Sequence, residues 1–140
     1  MTSHVDVDTS LGFALKQLQQ RLRARMDGDL AKFGLTAPLY AVLALLDEHP
    51  GSTNAELARR SFVAAPTMIR MVTTLQDAGL IVRDAPEGRM KRNDLTRKGR
   101  ARLADAAVHV DRIEDTLREL AGDNAPLILD WLRDCADAFD

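Results

Sequence analysis

Cysteine, aromatic residues and long apolar runs are all scarce in this 140-residue chain. With one cysteine, Cys135, the chain cannot form an internal disulfide, and a single thiol is typical of a protein in a reducing compartment. The longest apolar run, Leu39 to Leu46, is far shorter than the roughly 18 residues of a membrane-spanning helix. We therefore expect no transmembrane segment and no membrane partner. The first ten residues contain no lysine, arginine or apolar core, so we also expect no signal peptide.

Patterns that carry catalysis or metal binding are also scarce. The three histidines have no metal-ligand spacing, and no glycine-rich phosphate-binding loop or nucleophile motif is present. We therefore expect neither an enzyme nor a cofactor nor a metal site. Cys135 lies on an apolar helix face with aspartates beside it, which favours a buried packing cysteine over a redox sensor.

Charge is unevenly distributed along the chain, although the total is close to neutral. The formal net charge is −2, from 19 basic and 21 acidic residues. Residues 83–102 contain eight basic and three acidic residues, whereas residues 101–140 contain four basic and ten acidic residues. Because salt confines a surface charge to roughly 8–10 Å, a local basic patch can attract a polyanion even on an acidic protein. The basic segment is either a solvated surface or part of a nucleic-acid interface.

Apolar residues recur at helical spacing through most of the chain, which predicts a mainly α-helical fold. The stripe on the first helix, residues 11–33, consists of Leu11, Leu15, Leu18, Leu22 and Met26. Further along, a short helix over residues 54–60 and another over residues 65–78 form a close pair, and a basic hairpin over residues 80–95 follows at once. This order predicts a winged helix-turn-helix, whose second helix fits the DNA major groove and whose hairpin can enter the minor groove.

The helix over residues 65–78 has one apolar and one polar side, with Met68, Val72 and Leu75 facing inward. The predicted DNA contacts on the outward and flanking sides are Ala65, Pro66, Thr67, Arg70, Thr73 and Thr74. Arg70 lies at the middle of this side, where a guanidinium can meet a guanine edge or a phosphate, although most helix arginines are simply solvated. The alanines that begin the helix cannot cap its first amides. Either a DNA phosphate or the Thr67 side chain is the expected partner.

Several short motifs resemble, in order, those of the MarR family of bacterial transcription regulators. They are Leu35-Thr36 with Tyr40 and Val42-Leu43, residues 54–60, residues 67–72 with Leu75, residues 78–83, and Leu95-Thr96-Arg97-Lys98-Gly99. The resemblance covers about residues 11–138. It implies a winged helix-turn-helix with N- and C-terminal dimerisation helices, and a sequence-specific DNA-binding regulator. The implied regulator is a ligand-responsive repressor of the bacterial cytoplasm, associated with the nucleoid.

The resemblance also assigns roles in the hairpin, or wing. The family's wing carries Asp-x-Arg, and counting back from Leu95-Thr96 places Arg89 at the arginine, which implies that Arg89 enters the minor groove. Glu87 stands where the family has aspartate, so the usual salt bridge to the arginine is not carried over. Residues 91–94 lack the family's apolar alternation. We therefore expect a mobile or poorly paired hairpin, with Lys91 and Arg92 as extra phosphate contacts.

A homodimer is implied as well, with the chain forming a single domain over residues 1–140. Residues 36–99 would form the winged-helix lobe, and residues 11–33 and 100–139 the dimerisation helices. The expected dimer contacts are Leu11, Leu15, Leu18, Leu22, Leu117, Ile128, Trp131, Leu132, Cys135 and Phe139. A two-fold dimer would read a near-palindromic site with half-sites about one helical turn apart.

Ligand sensing is the last implied property. In the family, a pocket between the dimerisation helices and the winged domain takes small aromatic or lipophilic effectors. The residues expected to line it here are Arg21, Arg25, Tyr40 and His109. For Tyr40, a core position with its hydroxyl at the rim is the favoured alternative. The rival hypothesis for the whole chain is a winged-helix protein-interaction module that has lost DNA binding. The acidic total and the irregular wing favour that rival, and the basic residues on the predicted helix and wing favour DNA.

Overall fold

The computed structural model describes residue 4 and residues 6–140, apart from the side chain at position 86. This part of the chain contains six α-helices and a two-stranded antiparallel sheet. The elements are α1 (Leu11–Leu30), α2 (Ala37–Glu48), α3 (Asn54–Ser61), α4 (Ala65–Asp77), β1 (Ile81–Asp84), β2 (Arg92–Leu95), α5 (Arg97–Ala121) and α6 (Ala125–Ala138). Short 3-10 turns follow α1, β1 and α5. The predicted fold class, mainly α with a winged helix-turn-helix, is confirmed.

Hydroxyl side chains begin the first three helices. Ser10, Thr36 and Thr53 each have extended backbone angles, and each side chain accepts a hydrogen bond from the backbone N–H three residues on. Such caps satisfy amides that have no partner inside the helix. Thr36 and Thr53 therefore cap α2 and α3. Glu56 also accepts a hydrogen bond from the Thr53 hydroxyl at 3.3 Å.

The described chain divides into two compact units, residues up to Ala107 and residues Val108–Asp140, with the division inside α5. The first unit contains the buried core, to which α2, α3, α4, the sheet and the start of α5 contribute. The buried apolar side chains include Val42, Leu43, Leu46, Leu57, Met68, Val72, Leu75, Leu80, Ile81, Leu95 and Leu103. Packing of α3 against α4 and of α4 against β1 gives the helix-turn-helix and its wing one shared core.

The wing is regularly paired, contrary to the expectation of a poorly paired hairpin. Ile81 pairs with Leu95 and Asp84 with Arg92, so all four residues of each strand take part. The physical reason lies in Asn93, which is fully buried and forms hydrogen bonds through its carboxamide where an apolar residue was expected. The other side of β2 forms a further bridge, between Asn93 and Ser52. Met90 and Lys91 precede β2 and lie outside the paired strands.

The second unit consists of the end of α5, a 3-10 turn and α6. No residue of α6 is buried within the single chain. Among the described residues, no single helix has the length and apolar composition to span a membrane. Only Leu11–Phe33 and Ala37–Glu48 meet that test, as a pair bent by 72°.

Candidate DNA interface

Helix α4 has one side packed against the core and one side exposed to solvent, as its sequence pattern predicts. Met68, Val72 and Leu75 are at most 1% exposed. The predicted DNA contacts Ala65, Pro66, Arg70, Thr73 and Thr74 are all exposed, and Thr67 is half-buried. The side of α4 that faces away from the core therefore presents Arg70, Thr73 and Thr74 to solvent.

Arg70 leans toward the beginning of its own helix. Its Nη2 donates a hydrogen bond to the Thr67 hydroxyl at 3.3 Å, one turn earlier. This is the direction in which long helix side chains ordinarily point. The guanidinium has five N–H donors, so this contact leaves donors for a base edge or a phosphate.

Two threonine hydroxyls on α4, those of Thr73 and Thr74, are already used as donors. The hydroxyl of Thr73 donates to the carbonyl of Ile69 at 2.8 Å, and that of Thr74 donates to the carbonyl of Arg70 at 3.0 Å. Their free acceptor lone pairs cannot bond a phosphate oxygen, which also only accepts. Their methyl groups can still pack on thymine methyls, so this structure favours an apolar contact with thymine over a phosphate contact for Thr73.

The first amides of α4 have no side-chain cap among the described residues. The residue before the helix is Ala64, and no hydroxyl or carboxylate accepts from the first turn. The Thr67 side chain, one of the two expected partners, is bonded to Arg70 instead. An uncapped helix start carries a partial positive charge, which suits an anionic group.

The tip of the wing presents cationic side chains to solvent. Arg89 and Lys91 are exposed, and within the described residues no ion pair joins Glu87 to Arg89. Glu87 and Gly88 both have positive φ angles, 52° and 77°, so the turn bends sharply just before Arg89. The turn of the wing is therefore followed at once by an exposed cationic side chain.

Part of the basic segment has a structural role that sequence reasoning missed. Four of its side chains donate to backbone carbonyl groups: Arg92 to Gly51, Lys98 to Ala78, Arg100 to Leu95 and Arg102 to Phe33, at 2.6–3.1 Å. Lys98 thus caps the end of α4. Arg92, predicted as a phosphate contact, holds the wing strand to residue 51 with one of its nitrogens. These side chains keep their charge, but fewer of them are free to reach toward a polyanion than the sequence count indicates.

The base of the wing is fixed against the end of α4. The Thr96 hydroxyl donates to the carbonyl of Gly79 at 2.6 Å and accepts from the N–H of Gly99 at 3.0 Å. The N–H of Thr96 donates to the carbonyl of Leu80 at 3.0 Å. A Cβ at position 99 would collide with that carbonyl oxygen, so only glycine fits there. These contacts explain the Leu-Thr-x-x-Gly motif physically, as the joint between wing, α4 and α5.

A cleft of about 770 Å³ lies in the first unit beside α1, α2 and the α3–α4 turn. Tyr40, predicted to line an effector pocket, lines it, and so do Arg23, Arg60 and Phe62. The lining does not include Arg21 or Arg25, and Arg25 is paired with Asp29 at 3.0 Å. The last predicted residue, His109, is half-buried in the second unit. Of the arginines on α1, Arg23 and not Arg21 or Arg25 lines this cleft.

Arg23 belongs to a polar joint between α1 and α2. Its Nε donates to Asp27 at 2.8 Å, and the other oxygen of that carboxylate accepts from the N–H of Ala37 at 2.7 Å. The Ala37 N–H, and then Arg23, lower the pKa of the Asp27 carboxyl below its ordinary value. A charged side chain at the cleft wall is thus tied directly to the first turn of α2.

The predicted dimer contacts lie on uncovered surfaces of the single chain. Leu11 is 68% exposed and Phe139 is 89% exposed. Leu15, Leu18, Ile128, Trp131 and Leu132 are also exposed, and Leu22, Leu117 and Cys135 are half-buried. Each of the two units therefore presents apolar surface that its own residues do not cover.

Comparison with known proteins gives one consistent result. The MarR family profile matches residues 35–88. The chain is 38% identical over 121 residues to the HTH-type transcriptional repressor Rv2887 of Mycobacterium tuberculosis, covering 85% of this chain and 86% of that protein.

Two solved structures are similar over nearly the whole chain. The transcriptional repressor CouR, solved bound to a 23-mer DNA duplex, has a TM-score of 0.84 and 35% identity. The match covers 96% of this chain and 99% of CouR. The same repressor has been solved bound to p-coumaroyl-CoA. The PcaV transcriptional regulator of Streptomyces coelicolor, solved with its natural ligand, has a TM-score of 0.87 and 25% identity, with 99% of this chain and 100% of that one covered.

Proposed function

The chain belongs to the MarR family of transcriptional regulators, and we propose that it is a homodimeric, ligand-responsive repressor that reads double-stranded DNA with α4 and the wing. The observation that carries this proposal is the polar side of α4, where Arg70 lies exposed opposite a fully packed apolar side. Regulators of this kind act on the chromosome, so we infer a cytoplasmic, nucleoid-associated protein.

Within this proposal the two cationic elements have different tasks. Arg70 reads bases in the major groove, and Thr73 packs its methyl group on thymine. Arg89 enters the minor groove, whose negative potential attracts a guanidinium, and Lys91 contacts phosphates. The uncapped start of α4, at Ala65 and Pro66, binds a phosphate. Arg92 contributes mainly by holding the wing in place, given its bond to Gly51.

Binding to duplex DNA at several salt concentrations tests the proposal. A DNA-binding dimer should lose affinity steeply with salt, by about 0.9 log units per neutralised phosphate for each tenfold rise in concentration. Arg70→Ala should abolish the preference for the operator over unrelated DNA, whereas Arg89→Ala should weaken binding to both more evenly. Negligible binding even at low salt would favour the rival protein-interaction module instead.

The proposed dimer accounts for the apolar surfaces of α1 and α6. A second copy would cover the exposed leucines and Trp131, as obligate dimers bury extensive apolar area. Two-fold symmetry then predicts a near-palindromic operator. Sedimentation velocity should give twice the chain mass. Leu18→Asp should give a monomer, and Gln17→Asp, which adds the same charge beside the stripe, should leave the dimer intact.

We place the effector in the cleft beside Tyr40 and Arg23. The aromatic and aliphatic lining suits an aromatic or lipophilic body, and Arg23 suits an anionic group on it. An anion that takes Arg23 from Asp27 would disturb the joint that starts α2, which gives the effector a route to the DNA-binding elements. Calorimetry with p-coumaroyl-CoA and with p-coumarate as probes tests this site. Arg23→Gln should weaken binding, and Arg21→Gln, on the same helix outside the cleft, should not.

A further inference from the structure

Asn93 is a fully buried polar residue in the middle of wing strand β2. Its Nδ2 donates two hydrogen bonds, to the carbonyl of Ser52 at 3.0 Å and to Oδ1 of Asn54 at 2.9 Å. Both acceptors flank Thr53, the residue that caps α3. One side chain of the wing is therefore bonded to the start of the helix-turn-helix, about forty residues earlier in the chain.

The backbone of the same residue strengthens this joint. The N–H of Asn93 donates to the Ser52 carbonyl at 2.9 Å, and the N–H of Gly51 donates to the Asn93 carbonyl at 3.0 Å. Backbone bonds of this kind repeat along a strand and tolerate a shifted register. The carboxamide does not, because its donors meet Asn54 at one position only. The side chain therefore selects the register in which the wing meets α3.

Stability alone does not account for an asparagine at this position. Its Oδ1 is buried and has no hydrogen-bond partner among the described residues. An unsatisfied buried acceptor costs desolvation free energy, and an apolar side chain of similar size would fill the space without that cost. Asn93 thus fixes the register of the wing against α3 at some cost in stability.

We propose that Asn93 is a positioning residue for DNA recognition, which fixes β2 to the start of α3 and thereby sets where the wing presents Arg89 relative to Arg70. This inference rests on the proposed function. A strand advances about 3.3 Å per residue, so even a one-residue shift of the wing moves Arg89 by more than the length of a hydrogen bond. Asn93 itself touches no DNA in this scheme.

The variant Asn93→Val removes both polar atoms and keeps a strand-forming residue in the core. We expect an unchanged thermal midpoint and dimer mass, because an unsatisfied acceptor is removed along with the donor. We expect affinity for the operator and for unrelated duplex DNA to fall together, by about five- to 150-fold, because the variant misplaces Arg89, which supports binding to both.

A double-mutant cycle with Arg89→Ala separates positioning from packing. If Asn93 positions Arg89, Arg89→Ala should cost much less operator affinity in the Asn93→Val background than in the parent protein. Equal costs in both backgrounds would overturn the positioning role while leaving the proposed function intact. If Arg89→Ala has no effect in the parent, the wing's role in the proposed function fails, and the positioning role fails with it.

The partner residue provides a second test that does not depend on the buried site. Asn54 is half-buried, so substitutions there should fold. Asn54→Asp keeps the acceptor for Asn93, whereas Asn54→Leu removes it. In the same cycle with Arg89→Ala, the first should show the parent's cost and the second should show the reduced cost expected for Asn93→Val. An equal cost of Arg89→Ala in the two variants would contradict the proposal even if Asn93→Val does not fold.

Discussion

Substitution of Gly99 by alanine should destabilise the protein, although alanine is the better helix former. Gly99 lies in the first turn of α5, and a Cβ there would collide with the carbonyl oxygen of Leu80. That carbonyl belongs to the backbone and also accepts the N–H of Thr96 at 3.0 Å. It therefore cannot rotate away as the end of a flexible side chain would.

The expected size follows from three contributions. Forcing extra volume into a packed site costs about 1–3 kcal/mol, and weakening the Thr96 bond costs about 1 kcal/mol more. Replacing glycine by alanine inside a helix returns at most about 1 kcal/mol, and less in the first turn. We therefore expect Gly99→Ala to lower the free energy of unfolding by about 1–3 kcal/mol. This corresponds to a decrease of about five- to 150-fold in the equilibrium constant for folding.

The measurement is urea unfolding at one fixed protein concentration, because the stability of a dimer depends on concentration. Gly28→Ala is the matched control, since a Cβ at position 28 of α1 meets no atom within 4 Å. That variant should gain about 0.5–1 kcal/mol from helix propensity. The two substitutions should thus change the free energy of unfolding in opposite directions. A Gly99→Ala variant as stable as the parent would refute the close approach on which this reasoning depends.

Two further predictions concern the α3–α4 turn and the α1–α2 joint. Phe62 has a φ of +57° and is 94% exposed. Phe62→Gly should therefore raise the free energy of unfolding by about 0.5–1 kcal/mol, because glycine adopts the left-handed backbone without strain. The same variant should weaken p-coumaroyl-CoA binding if the ring lines an effector site. The pKa of Asp27 is lowered on folding. Its ionised form therefore contributes stability above the ordinary aspartate value of about 3.9, and the contribution is lost as the pH falls through the lower folded value. Asp27→Asn should lose this acid dependence, so urea unfolding from neutral to acid pH should show the two proteins converge at the lowest pH. Parallel curves for the two proteins would exclude the contribution of the carboxylate.

Local patterns in the sequence were sufficient for the helices and for the outward side of α4. The apolar spacing of Met68, Val72 and Leu75 defines a packed side through helix geometry alone, and the structure buries all three. Thr36 and Thr53 cap the helices that follow them because a capping bond joins residues only three positions apart. The order of elements then identified the winged helix-turn-helix without any knowledge of long-range contacts.

Residues with distant partners were the ones that the sequence misjudged. Arg92 and Arg102 read as free cations, yet each donates to a carbonyl, 41 and 69 residues away respectively. Arg23 could not be told apart from its neighbours on α1 until the fold brought Ala37 next to Asp27.

The sequence by itself therefore determined the helices, their inward sides and the presence of a cationic wing. Those properties arise from bonds and spacings within a turn or two of one helix. Only the tertiary structure decided that Asn93 would complete the wing, that Gly99 must lack a side chain, and which cations remain available to DNA. The physical reason is that a polar side chain bonds whichever backbone group the packed fold leaves unpaired beside it, and the group next to Asn93 lies about forty residues away in the chain.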